Sequence, residues 1–333
     1  MAKDTGRVTL QDIAKATGFT VNTVSRALKN KDDISRETCQ RIQQVAREMG
    51  YVRNYIASSL RSGRTKTIAM IAGSMMNPFY AILGDLIQQE AVRLGYSLVI
   101  LCSRDDPDTE VQMVEMALSR QVDGVLITPC SFDSPALGLL RSSGIPFVLL
   151  SRYLEGSEDD CVYCDDEQGG YLAARHLIEK GHRNLGMVSF RHVVFSSRKR
   201  FDGFQRACLE AGVPARDIHY TEPEKDEDLL PTLRSWIGGG MTALFAFCDV
   251  EAWSMITQME NAGLPESARP QIVGFDNILR YVNFPKPICS IDPHLREEAR
   301  TAIDLLRRRI HQPDLPPQQV VLPVTLVCRG SCE

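Results

Sequence analysis

The amino-acid sequence predicts a small all-α head built as a helix-turn-helix, followed by an α/β body of two doubly wound parallel-sheet lobes. Three observations carry that expectation. At 333 residues the chain is too long for one ordinary core. Charge is unevenly shared: residues 1–66 hold thirteen Lys and Arg against six Asp and Glu, a surplus of seven, whereas the whole chain is −4 and the remainder therefore −11. The hydrophobic rhythm also changes at Lys66, from helical periodicity to short apolar runs alternating with amphipathic stretches.

The composition, 44% hydrophobic and 24% charged, is that of a globular chain. No apolar run approaches the roughly 20 residues of a spanning helix, and the N-terminus carries charge without an apolar segment, so no membrane partner is expected and the chain is read as cytoplasmic. Ten cysteines are dilute in a chain this long, and most sit in apolar runs as small hydrophobes. Cys161/Cys164 and Cys328/Cys332 are close pairs, but a structural zinc site needs four ligands and neither pair has a Cys or His neighbour in sequence. No metal and no cofactor are expected. A basic head on an acidic body points to a polyanion partner for the head alone.

In the head, Thr9 caps a first helix and Asp12 completes a variant capping box, with Leu10, Ile13 and Ala14 sharing one face. Gly18 stops it. A second helix opens with Thr20 as cap and turns Val24, Ala27 and Leu28 inward. The short Gly-containing turn between them is the helix-turn-helix signature, whose second helix enters a major groove. Its outer face, Val21, Asn22, Ser25 and Arg26, offers an amide for adenine, a guanidinium for guanine and a small hydroxyl for phosphate. A third helix over 35–49 closes the core with Ile42, Val45, Ala46 and Met49 before Gly50.

In the body, strand-like runs at 68–72, 97–102, 124–128, 147–150, 185–188, 243–247 and 271–274 alternate with helical stretches at 82–94, 111–120, 168–180, 199–211 and 250–262. Such alternation gives parallel sheets covered on both faces. Two lobes of this kind leave a crevice at the carboxyl ends of their strands, where ligands bind. Trp253, Met255 and Met259 share a helix and are read as core or dimer surface, and His176 and His182 as structural.

Val8 to Ala14, Thr23 to Leu28, Gly50-Tyr51, Arg61 to Thr65, Asn77 to Tyr80, Val273 to Asp276 and Val327 to Ser331 together resemble the lactose-repressor (LacI/GalR) family of bacterial transcriptional regulators, along nearly the whole chain. The resemblance implies a dimeric repressor on a pseudo-palindromic duplex operator. It makes Val21 and Asn22 the principal base readers, Arg26 a second base or phosphate contact, and Thr23 and Ser25 backbone anchors, with Thr9 and Thr20 also in the DNA-binding set. Asn54, Ala57 and Leu60 fall in the family's hinge helix, with Leu60 as the minor-groove wedge. Arg53 stands where a proline is common, and Ser58 where a basic residue is frequent.

The same resemblance implies a periplasmic-binding-protein-like body holding a small, carbohydrate-like effector. It divides the chain into a head at 1–52, a hinge at 53–66 and a body at 67–333. Lobe one is then about 67–160 and 292–322, lobe two about 161–291 and 323–333, with crossings near Asp160, Asp292 and Leu322. The implied effector contacts are Phe79, Tyr80, Ser196, Arg200 and Asp276, an aromatic surface with a guanidinium and an acid for vicinal hydroxyls. Ser151-Arg152 and Cys248-Asp249 stand where the family often has Asp-Arg and Asn-Asp. A structural reading sits beside these: Phe79 and Tyr80 as packing residues, Arg200 paired with Asp202 or Asp165, Asp276 in a turn.

Other classes fit less well. No nucleophile elbow, metal-ligand helix, phosphate loop or dinucleotide fingerprint occurs in context, so no enzymatic activity is expected. An extracytoplasmic binding protein would need a signal peptide and no basic head, and redox sensing would rest on Cys161/Cys164. With no heptad tail to join two dimers, a homodimer is expected.

Overall fold

The computed structural model describes residues 8–52, 63–154, 156–189, 195–223, 229–283 and 286–330, which fall into two compact units, Met1–Thr65 and Lys66–Glu333. Most of the expected hinge, 53–62, lies outside the described residues, and Asn54, Ala57 and Leu60 with it.

Among its described residues the first unit holds three helices: α1 (Leu10–Thr17), α2 (Val21–Ala27) and α3 (Arg36–Glu48). Thr9 and Asp12 form the reciprocal capping box, Gly18 ends α1 in the left-handed region at φ 77°, and Thr20 and Ser35 accept from the N–H groups of Thr23 and Thr38. Ile13, Val24, Ala27 and Ile42 are fully buried at the centre, with Ala14 and Ala46 beside them.

The second unit holds two six-stranded sheets. The first contains β1 (Thr67–Ala72), β2 (Ser97–Cys102), β3 (Gly124–Ile127), β4 (Phe147–Leu150), β5 (Cys161–Cys164) and β11 (Gln319–Leu322), in the order β11-β5-β4-β3-β1-β2, all parallel. The second contains β6 (Leu185–Val188), β7 (Ile218–Thr221), β8 (Ala243–Ala246), β9 (Gln271–Phe275), β10 (Cys289–Asp292) and β12 (Thr325–Val327), ordered β12-β10-β9-β8-β6-β7. Only its edge strand β12 is antiparallel, pairing with β10.

Helices cover both faces. Strand β1 shows why: Ile68, Met70 and Ala72 pack toward α4 (Pro78–Arg93) and α11 (Leu295–His311), and the alternate Ala69 and Ile71 toward α5 (Pro107–Ser119) and α6 (Pro135–Ser143). In the second lobe, Met187, Phe245 and Phe275 face α7 (Asp166–Glu179) and α8 (Phe195–Glu210). Leu244 and Ile272 face α9 (Leu229–Gly238) and α10 (Asp249–Asn261), where Trp253, Met255 and Met259 are buried core.

Strand membership moves one expected boundary. Cys161–Cys164 extends the first sheet by pairing with β4 and β11, so the chain leaves lobe one after Cys164, not near Asp160. A four-residue run, Cys161 to Cys164, flanked by acids gave no sign of which sheet would take it. The other passages follow β10 at Asp292 and β11 at Leu322. The same strand weakens the redox alternative, because Cys161 and Cys164 point to opposite faces, into different core clusters, and burial pushes both thiols up.

Helices α7 and α8 approach more closely than side chains allow. A Cβ on Gly170 would lie 1.8 Å from the Arg200 carbonyl oxygen, and one on Gly203 would lie 1.8 Å from that of Glu167. Backbone occupies both spaces, so no rotamer change relieves the overlap. Gly203→Ala is therefore expected to destabilise the body by about 3 kcal/mol or more in chemical denaturation. Gly238→Ala, whose Cβ meets nothing within 4 Å, is the control, and equal midpoints for the two variants would refute the close approach.

Candidate functional site

The carboxyl ends of both sheets open onto a cavity of about 330 Å³, within the range of small-molecule sites. A larger hollow of about 540 Å³ beside Arg280, Arg296 and Arg300 is lined mainly by charged residues and lacks the paired strand ends.

From the first lobe come Phe79, Tyr80, Asp105, Ser151 and Arg152. Asn77 caps α4 by accepting from the Phe79 N–H at 3.0 Å, and Pro78 occupies the first turn, so the two aromatic residues stand in the first turn of the helix that follows β1. Their rings meet edge to face at 5.2 Å. Arg152 donates to Asp105 Oδ1, the Pro129 carbonyl and the Tyr80 hydroxyl oxygen, each at 3.0 Å. Burial pushes the Tyr80 phenol up to about 12, with Arg152 pulling the other way. Ser151 donates to Glu298 Oε1 at 2.7 Å, and Glu298 is buried on α11.

From the second lobe come Ser196, Arg200, Phe247, Cys248 and Asp276. Arg200 donates through Nε to Asp166 Oδ1 at 2.8 Å and through Nη1 to the Phe247 carbonyl at 2.6 Å. Its guanidinium lies 3.4 Å from the Phe275 ring centroid and 4.4 Å from that of Phe247. Asp276 is buried, and burial pushes its carboxyl well up; Arg200 opposes that shift, while Asp249, Asp166 and Glu298 reinforce it. Burial likewise keeps the Cys248 thiol neutral.

Eight of the nine effector residues read from the sequence line this cavity. Asp249 does not: it is fully buried, with Oδ1 accepting from the Ser290 hydroxyl at 2.6 Å and Oδ2 from the Ile278 N–H at 2.8 Å. Arg200 pairs with Asp166, not with Asp202 or Asp165. Asp105 and Phe247 were missed. Asp105 follows β2, so the strand-end rule applied to every strand finds it; Phe247 was absorbed into the strand it terminates.

In the first unit, Thr20, Val21, Asn22 and Arg26 are exposed on α2, with Val21 43% accessible despite being apolar. Thr23 and Ser25 are half-buried. Arg26 forms an exposed ion pair with Asp33 at 2.5 Å. The Thr9 hydroxyl donates to Asp12 at 2.7 Å, and the Thr20 and Thr23 hydroxyls lie 2.9 Å apart.

Residues 9–54 match the family described as bacterial regulatory proteins, lacI family. Residues 65–231 match the periplasmic binding proteins and sugar binding domain of the LacI family, and 174–332 a periplasmic binding protein-like domain. Over 98% of both chains, the sequence is 32% identical to the HTH-type transcriptional regulator DegA of Bacillus subtilis. The chain belongs to the lacI family of bacterial regulatory proteins. It is a DNA-binding transcriptional regulator with a helix-turn-helix head and a periplasmic-binding-protein-like body. Among solved structures, a lac repressor dimer bound to operator and the anti-inducer ONPF is similar with a TM-score of 0.81 and 21% identity over 98% of this chain and 99% of that one. A CelR–cellobiose complex gives 0.70 and 24% over 98% and 100%. Among the described residues no helix is long and apolar enough to cross a membrane.

Glu298 makes the stability of this regulator pH-dependent. Burial pushes its carboxyl up to about 7, above the roughly 4.3 of an exposed glutamate, so the folded chain holds a proton that the unfolded chain releases. Its contribution is fullest below about pH 4 and is lost as pH rises through about 7. Glu298→Gln keeps the acceptor for Ser151 and is expected to raise the melting temperature by a few degrees at pH 8 and hardly at all at pH 4. An equal change at both pH values would show that Glu298 does not titrate between them.

Proposed function

We propose that this regulator is a repressor whose operator affinity is set by a neutral, carbohydrate-like molecule held between the two lobes. Two copies present their α2 helices to a pseudo-palindromic operator, with Val21, Asn22 and Arg26 on base edges and Thr9, Thr20, Thr23 and Ser25 on the backbone. Asn54, Ala57 and Leu60 complete the proposed DNA surface at the hinge. The exposed Val21 side chain suits a thymine methyl group. The operator-bound lac repressor dimer and the cellobiose complex of CelR support both halves of the reading.

The observation that carries the effector class is the charge state of the cleft. Both guanidiniums are already paired inside the protein, Arg152 with Asp105 and Arg200 with Asp166. The cavity is therefore no trap for a phosphate. It offers Asp276, the outer edges of two arginines and the rings of Phe79, Tyr80 and Phe247, which suit hydroxyls and the apolar face of a sugar ring. Thermal-shift screening is expected to find a neutral sugar or polyol; response only to sugar phosphates or nucleobases would overturn the ligand class.

The two sites separate by mutation. Arg26→Ala should weaken binding to a selected operator about tenfold or more and leave ligand affinity unchanged. Asp276→Asn should weaken the ligand about tenfold and spare operator binding by the ligand-free protein. Equal operator affinity for wild type and Arg26→Ala would remove α2 as the reading helix.

A further inference from the structure

The last strand of the body gathers three side chains that neither the cleft nor the DNA surface uses. In the antiparallel pairing of β12 with β10, Ser290 lies opposite Val327. One step further along that register sets Cys289 opposite Cys328, and their sulphurs are 3.4 Å apart. Helix α7 packs on this part of the sheet and carries His176 in its last turn. One ligand atom from each of His176, Cys289 and Cys328 lies within 4.8 Å of the other two.

Two independent features mark the cluster as a site. His176 Nε2 is buried and has no hydrogen-bond partner among the described residues, a condition that disfavours the fold unless something meets the nitrogen. The Arg329 backbone N–H donates to Cys289 Sγ at 3.3 Å, which holds that sulphur in place beside Cys328. The spacing also suits a bridging ion: two thiolates at about 2.3 Å from a tetrahedral centre stand about 3.8 Å apart, and an imidazole completes a mixed sulphur and nitrogen set.

We propose that His176, Cys289 and Cys328 bind a zinc ion. Two thiol protons leave as the cation enters, so the two thiolates balance its charge, and the fourth tetrahedral position takes water or another donor. Cys332 lies outside the described residues and is not counted as a ligand. The sequence disfavoured a metal here because the Cys328/Cys332 pair has no further His or Cys neighbour in the chain; His176 and Cys289 arrive from a helix and a strand that the fold brings in.

The ion would fasten the edge strand β12 to α7. That helix begins at Asp166, ten residues or about 15 Å away, where it holds Arg200 in the cleft. Arg329, next to Cys328, donates to the Ile288 carbonyl at 3.2 Å and to Asn277 Oδ1, beside Asp276.

The test uses the full-length protein, reduced and stripped of metal, titrated with zinc against a chromophoric chelator and separately with cobalt(II). One equivalent per chain is expected, with thiolate-to-cobalt charge-transfer absorption and a zinc-dependent rise in melting temperature. Cys328 is exposed and His176 only partly buried, so Cys328→Ser and His176→Gln should fold, and each should lower zinc affinity at least about a hundredfold. The proposal is overturned if the wild type takes up no stoichiometric zinc. It is equally overturned if both variants bind zinc as tightly as wild type, or if the freshly reduced protein forms a Cys289–Cys328 disulfide and binds no metal when that bond is reduced again.

Discussion

The second lobe's side of the cleft depends on one buried guanidinium. Arg200 lies between the rings of Phe247 and Phe275, and it sits among the carboxyls of Asp166 and Asp276. A charge buried this deeply is strongly destabilising unless paired in good geometry, and here Asp166 and the Phe247 carbonyl supply the pairing. That geometry exists only because α7 and α8 touch through Gly170 and Gly203. A side chain on Gly170 would stand where the Arg200 carbonyl lies, so the glycine lets the guanidinium reach Asp166. Removing the arginine would leave the buried acids Asp166 and Asp276 without their shared cation.

The rest of the cleft is assembled from turns held in costly conformations. Asp105, Ser151 and Asp276 line the cavity, and all have positive φ, at 54°, 60° and 97°. Non-glycine residues in such conformations cost about 1–3 kcal/mol each and persist when their surroundings over-determine them. At Asp276 those surroundings are explicit. Its N–H donates to the Ile291 carbonyl, the Asn277 N–H donates to the Ser290 hydroxyl oxygen, and Asn277 Nδ2 donates to Asp292 at 2.8 Å. Asp249 belongs to this scaffold: by accepting from Ser290 and the Ile278 N–H it shapes the turn that presents Asp276. A ligand spanning both lobes acts on turns that are already fixed, so its differential affinity can bias the relation between lobes and not merely reshape a loop.

Much of this was legible in the sequence because local rules act locally. The head followed from caps and periodicity: Thr9, Gly18, Thr20 and Ser35 stand at the helix ends they were assigned. Helices α4 and α5 begin about four residues before their apolar periodicity, because Asn77-Pro78 and Asp106-Pro107 start them by capping and by proline's fixed φ. What was not legible depends on tertiary pairing. Four-residue strands such as Cys161–Cys164 and Cys289–Asp292 carry no period long enough to assign a sheet. Gly169-Gly170, too short for any phosphate-binding pattern, gained meaning only when Gly203 appeared opposite. Which buried acid faces the cavity and which braces it, Asp276 or Asp249, depends on side-chain direction.

The two departures from the family pattern bear on how the cleft would choose its ligand. Ser151 gives its hydroxyl proton to Glu298, and the Cys248 thiol is neutral and a weak hydrogen-bond donor. Where the family often presents an acid and an amide, this cleft presents one committed hydroxyl and one soft, nearly apolar group. A site that hydrogen-bonds a hydroxyl rejects the analogue lacking it far more strongly than an apolar site rejects an added group. On the proposed effector reading, with those two positions silent, discrimination would fall on Asp276, the remaining polar lining and the shape set by Phe79, Tyr80 and Phe247. Such a cleft should read the face and outline of a ring more sharply than the full pattern of hydroxyls around its edge.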